Sequence, residues 1–175
     1  MDITNNITTT TWIDYIGFMG PFILILFSIF LLINKPFFLY FYIGGTIMNI
    51  IINFILKVLF KDPRPNENKE LFELVLNNGK TLDINKYGMP SGHAQCVAFS
   101  CIYIYLVLDN IYVLWSYLCV SILTMVQRYK FKMHTLFQIL IGFMVGLIIG
   151  YFFFRSAQNR IKGDVCSKKD DNCFL

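Results

Sequence analysis

Charge is what this sequence has least of. Charged residues make up 15 % of the 175 positions, against about 25 % in an average soluble domain. Too few polar side chains remain to coat a globule of this size, which excludes an ordinary soluble domain. The net charge is only +4, and the basic residues lie between apolar runs. Both facts exclude a nucleic-acid-binding module. Cysteine is present without a pattern: Cys96, Cys101 and Cys119 sit inside apolar runs, and Cys166 and Cys173 sit in a polar tail at no metal-ligand spacing. Neither a disulfide framework nor a zinc site is indicated. The front of the chain has no positive region and no small-residue cleavage site, so Met1–Thr11 reads as a short retained tail and not as a secretory signal.

What the chain has instead is apolar surface. Hydrophobic residues account for 56 %, mean hydropathy is +0.57, and the residues are gathered into long runs. The runs predict an all-α integral membrane bundle of about five transmembrane helices. The first spans roughly Gly17–Ile33, with Trp12 and Tyr15 at a headgroup boundary before it. Asn34-Lys35-Pro36 breaks the chain, a second run continues from Phe37 to Phe60, and Asp62, Pro63, Arg64 and Pro65 end it. A third begins at Pro90-Ser91 and runs to Leu108. Asp109-Asn110 reverses the chain into a fourth, Ile111–Val126, and the fifth covers Leu136–Phe154. The third and fourth are short for a hydrocarbon core about 30 Å thick, so their ends must extend into the flanking motifs. Three segments follow: a tail over 1–16, a membrane domain over 17–154 with a polar loop at 61–89, and a polar tail over 155–175. Within the loop, Glu67–Leu76 suits a short amphipathic helix and Asn77-Asn78-Gly79 a turn.

Five spans determine which groups can meet. The second ends and the third begins at the 61–89 loop; the chain then crosses, reverses at Asp109-Asn110 and returns. Lys57–Arg64, Ser91–His93 and Arg128–His134 therefore share one membrane face. The chain has two histidines, His93 and His134, and both are there. So are Lys57, Arg64 and Arg128. Ser91-Gly92-His93 opens a helix, whose unpaired N–H groups and positive dipole end attract anions. Arg grips phosphate oxygens in a fork and Lys acts as a point charge. Two imidazoles complete a phosphoryl-transfer set, one to attack phosphorus and one to protonate the departing oxygen. Singly, each cation suits a snorkelling anchor and each histidine a solvated one. Independent anchors have no reason to gather on one face.

Lys57-x6-Arg64-Pro65, Pro90-Ser91-Gly92-His93 and Arg128-x5-His134 together resemble the three-part signature of the type-2 phosphatidic acid phosphatase superfamily, over roughly Gly44–Gly150. Gly44-Gly45, Asn49 and Asn53 before Lys57, Tyr87-Gly88-Met89 before Pro90, Ala94-Gln95 after His93, and Thr135, Gln138 and Gly142 after His134 look like its dolichyl-diphosphatase branch. That branch hydrolyses dolichyl diphosphate to the monophosphate in the endoplasmic reticulum. The resemblance implies that His134 is the nucleophile, passing through a phosphohistidine, and His93 the general acid. It implies a phosphate cradle of Lys57, Arg64, Ser91, Gly92 and Arg128. Three cations and a helix terminus can stabilise the equatorial oxygens without a metal or other cofactor. Gln138, one turn beyond His134, stands where the broader superfamily has Asp. It can orient the imidazole but supplies no charge. Gln127 replaces the superfamily's Ser before the third-motif Arg. Asp62, Glu67, Glu70 and Glu73 could bind a cation but read first as solvated loop charges.

The expected substrate is a lipid diphosphate met in the bilayer, with no nucleic-acid partner and no oligomeric state legible. Two alternatives share the motifs: a phosphatase acting on phosphatidate or another polyprenyl diphosphate, and an inactive lipid-phosphate binder. A channel or transporter fits poorly, since the first, third, fourth and fifth spans carry no mid-span charge. Nine of the fifteen Lys and Arg residues lie on the site face, but three of them are the expected ligands, so the positive-inside tendency decides nothing. The resemblance implies a site in the lumen of the endoplasmic reticulum, with which the sequon Asn6-Ile7-Thr8 agrees.

Overall fold

Asp14 starts the bundle earlier than hydropathy alone predicts. In the computed structural model, which describes residues 11–65 and 87–164 (162–164 as backbone only), the Asp14 carboxylate accepts from the Thr11 backbone N–H and hydroxyl, each at 2.8 Å. This bracing of the first turn begins α1 at Trp12, and α1 spans Trp12–Leu32. The helix therefore takes in Trp12–Ile16, which the apolar pattern assigned to the tail. Pro36 at the first turn opens α2, Pro36–Phe60, and Lys61 ends it in the left-handed region at φ 50°. Helix α3 is Gly92–Leu108. Asp109, at φ 47°, turns the chain, and the Asn110 side chain caps α4, Ile111–Lys130, by accepting from the Tyr112 and Val113 N–H groups. Helix α5 runs from Leu136 to Asp164.

Two helices outrun the sequence expectation. Helix α4 continues past Val126 to Lys130, which supplies the length a bilayer crossing needs. Helix α5 passes Phe154 because its buried face continues through Ala157 and Ile161 at helical spacing, with no Gly or Pro to stop it before Gly163. The amphipathic segment Glu67–Leu76, the turn at Asn77-Asn78-Gly79, the sequon and the end of the C-terminal tail lie outside the described residues.

Five helices and no strand make up the described residues, with a single isolated bridge between Pro63 and Tyr87. Helices α1, α2, α4 and α5 are long and apolar enough to cross a membrane. Helix α3, 17 residues long, packs against all four of them. Its Ala94, Val97, Ala98, Phe99, Tyr103, Ile104 and Val107 are buried, whereas Phe22, Leu26 and Phe30 of α1 face outward as lipid-facing side chains do. Burial is therefore set by position around α3, not by polarity.

Without a hydrophobic drive between helices in lipid, close backbone packing and polar contacts must hold the bundle. Gly142, Gly146 and Gly150 form a stripe on α5. A Cβ on Gly142 would lie 2.5 Å from the Ser91 carbonyl oxygen, one on Gly146 would collide with that of Gln95, and one on Gly150 would lie 2.9 Å from that of Phe99. Buried hydroxyls add hydrogen bonds across helices: Ser28 with Tyr117 at 2.8 Å, Tyr42 with Ser100 at 2.7 Å, and Tyr103 to the Phe38 carbonyl at 2.8 Å. The fold is an integral membrane helical bundle.

Candidate active site

Alternating helices bring the end of α2, the start of α3, the end of α4 and the start of α5 to one face, together with the start of α1. Lys130 of α4 marks the join, donating to Asp14 of α1 at 2.7 Å. The described ends of the 61–89 loop are fastened to each other. Gly88 N–H donates to the Asp62 carbonyl at 2.7 Å, beside the Pro63–Tyr87 bridge. Ser91 N–H donates to the Gln138 carbonyl at 3.1 Å, tying the start of α3 to α5.

His134 lies in the turn between α4 and α5, and the structure specifies its tautomer. Its Nδ1 faces two oxygens, the Gly88 carbonyl at 2.8 Å and Gln138 Oε1 at 3.3 Å. The orientation of the Gln138 amide follows from its other partners. Oε1 also accepts from Thr135 N–H at 3.1 Å, while Nε2 donates to the Asp62 carboxylate at 2.6 Å and the Pro63 carbonyl at 2.9 Å. The reversed amide would set donor against donor and acceptor against acceptor. Two acceptors therefore meet Nδ1, which carries the proton, and Nε2 keeps its lone pair. Burial, reinforced by the cations Arg64, Lys57 and Arg128, holds the His134 pKa far below its usual 6.5, at about 3, against the opposing pull of the Gly88 carbonyl. The imidazole is neutral, with an unshared lone pair on Nε2.

The same three cations, with His134, also act electrostatically on His93. Arg128 donates through Nη2 to His93 Nε2, and its guanidinium lies over the Phe18 ring, 5.1 Å from the centroid. Arg128 is buried, with its Nε–H unpartnered. Ser91 is fully buried, its hydroxyl has no partner, and it makes no capping bond to α3. Buried donors without acceptors are costly, and together with the N-terminus of α3 they offer hydrogen bonds that an anion can satisfy. Lys57 and Arg64 are half-buried beside them.

Amides hold the Pro90-Ser91-Gly92-His93 turn from beneath. Asn53 of α2 donates to Gln95 Oε1 at 2.8 Å and to the Pro90 carbonyl at 3.3 Å, while Gln95 Nε2 donates to the Asn49 carbonyl and side-chain oxygens, both at 2.9 Å. These contacts set the register of α3 against α2.

The structure thus brings His134, His93, Gln138, Lys57, Arg64, Ser91, Gly92 and Arg128 to one place. Asp62 differs from its sequence reading: it is no solvated charge but the acceptor for Gln138. Its position two residues before Arg64 was the available signal, and nothing in the spacing pairs it with residue 138. Gln127 lies against α1, with its Cβ facing Gly17, and its buried amide has no partner. Among the described residues, no group of three or more His, Cys, Asp or Glu side chains converges as a metal site would require.

Residues 38–162 match the sequence profile of the PAP2 superfamily. The chain is 31 % identical over 124 residues to a dolichyldiphosphatase of Saccharomyces cerevisiae, covering 63 % of this chain and 48 % of that protein. It is 28 % identical over 129 residues to a palmitoyl-protein thioesterase–dolichyl pyrophosphate phosphatase fusion of Schizosaccharomyces pombe, covering 63 % of this chain and 17 % of the fusion. The chain thus spans about half the length of the first relative and a small part of the second. No solved structure matches it.

Proposed function

Because the chain belongs to the PAP2 superfamily, we propose that it is a membrane-embedded lipid phosphatase that hydrolyses a polyprenyl diphosphate, dolichyl diphosphate foremost, to the lipid monophosphate and phosphate. The observation that carries this reading is the His134 imidazole: proton on Nδ1, lone pair on Nε2, and three cations around it. The names of the two relatives support the diphosphate specificity.

His134 Nε2 attacks the terminal phosphorus, the N–P bond forms, and the P–O bond to the lipid phosphate breaks. Once Arg128 leaves its Nε2 and the anionic substrate offsets the surrounding cations, His93 takes up a proton there from solvent and gives it to the departing oxygen. Arg128 turns its donors from His93 to the phosphoryl oxygens, and Lys57, Arg64, Ser91 and the α3 N–H groups share their charge. Water then attacks phosphorus, its proton passes to His93, and the N–P bond breaks to release phosphate. The proton on His134 Nδ1 stays in place throughout. By its resemblance to dolichyl diphosphatases the enzyme resides in the endoplasmic reticulum, with the site in the lumen and the end of α5 toward the cytosol.

Phosphate release from purified protein in detergent tests the reading. A polyprenyl diphosphate, its monophosphate and phosphatidate are compared. Preferential hydrolysis of the diphosphate supports it. Preference for phosphatidate overturns the specificity, and binding without turnover of any of the three overturns the enzyme.

A further inference from the structure

Residue 138 carries no charge, yet a carboxylate lies directly behind it. The Asp62 Oδ2 accepts from Gln138 Nε2 at 2.6 Å, and Gln138 Oε1 faces His134 Nδ1 at 3.3 Å. The amide is a two-sided connector whose orientation is enforced by Thr135 N–H on one side and the Pro63 carbonyl on the other. Asp62 also holds the other oxygen that meets Nδ1, because its own backbone carbonyl accepts from Gly88 N–H while the Gly88 carbonyl faces His134. Both oxygens on the nucleophile's proton therefore trace back to one residue at the end of α2.

We propose that Asp62 is a positioning residue for the nucleophile, acting through the Gln138 amide in a His134–Gln138–Asp62 relay. The inference rests on the phosphatase reading above. As Nε2 bonds to phosphorus the ring becomes electron-poor and its Nδ1–H a stronger donor. An amide polarised by a carboxylate at its N–H end presents a more negative carbonyl oxygen at the other. The charge that a directly placed acid would supply thus reaches the ring across one amide. The ion is kept off the imidazole itself, where it could take the Nδ1 proton.

Asp62→Asn separates charge from shape, since the side chain is isosteric and keeps an acceptor for Gln138. The assay is phosphate release from farnesyl diphosphate in detergent micelles, with the melting temperature measured alongside. Wild type, Asp62→Asn, Gln138→Ala and the double variant form a cycle. In Asp62→Asn, kcat is expected to fall about tenfold, within the range for groups coupled in one hydrogen-bonded network, with KM and melting temperature unchanged. A purely structural role would move the melting temperature, or KM through the neighbouring Arg64. In the Gln138→Ala background the Asp62 change should add nothing, because the connector is gone. Wild-type kcat in Asp62→Asn, a loss carried by KM or by melting temperature, or a full tenfold further loss in the double variant would each overturn the relay and leave the phosphatase reading standing. A wild type silent on farnesyl diphosphate and on longer polyprenyl diphosphates would overturn that reading and the relay with it.

Discussion

At the scale of single residues, Gly88 shows how tightly His134, the proposed nucleophile, is held. A Cβ there would lie 2.5 Å from Gln138 Oε1 and 2.7 Å from Nε2, and the backbone is not left-handed. The cost of a side chain at this position is therefore contact alone. Gly88→Ala should displace the amide and lower kcat by about ten- to a hundredfold, as loss of a supporting partner does elsewhere. Substrate affinity and folding should be nearly unchanged, and steady-state kinetics with a melting curve check this. His134 makes a second expectation. Its folded-state pKa of about 3 lies below the 6.5 of an unperturbed histidine, so between these values the unfolded chain binds the proton and the folded chain does not. Stability therefore rises with pH through that window and levels off above about 6.5. Each unit of acidification within it costs at most about 1.4 kcal/mol. Melting temperatures in detergent should fall on acidification, and His134→Asn should flatten that slope. A slope unchanged by the substitution would contradict the buried neutral imidazole.

At the scale of elements, α3 presents Gly92 and His93 because its neighbours fix it, and Asn53 is the contact to remove. Asn53→Leu would leave Gln95 Oε1 without its donor and the Pro90 carbonyl unsatisfied, a cost of about 1–3 kcal/mol. The melting temperature should drop, and activity should fall with it as the Ser91-Gly92-His93 turn shifts. Much of this level was legible beforehand. Apolar runs bounded by Asn34-Lys35-Pro36, Asp62-Pro63 and Asp109-Asn110 marked five helices, because turn chemistry and hydropathy agree there. The ends were less so. The start of α1 depends on a side-chain bond between Thr11 and Asp14, and the last turns of α5 depend on buried Ala157 and Ile161, neither of which a hydropathy run registers. Asp62 was hidden for a different reason. A charge in a Pro-flanked loop looks solvated until the fold brings residue 138 to it.

At the scale of the whole molecule, the membrane bundle directs helix ends and long cations to one face, which the proposed function uses as a phosphate site. In the proposed mechanism Lys57, Arg64, Arg128, Ser91 and the start of α3 stabilise the equatorial oxygens by cations and N–H groups. Phosphate release should therefore persist in EDTA at a rate within a factor of about two of the untreated enzyme, and a strict requirement for added Mg²⁺ would contradict that mechanism. The gathering of motifs on this face was readable from span topology, since three separated segments return to the same side. The resemblance alone pointed to His134 as the nucleophile; what the sequence could not give is the pair of oxygens at Nδ1 that fixes its tautomer. The most direct measurement is to quench the enzyme during turnover of a polyprenyl diphosphate labelled on its terminal phosphate, and to ask where the label sits. The account predicts an acid-labile, base-stable phosphoenzyme in wild type, its retention with slowed turnover in His93→Ala, and its loss together with activity in His134→Ala. Label trapped undiminished in His134→Ala, or turnover near the wild-type rate in that variant, would contradict it.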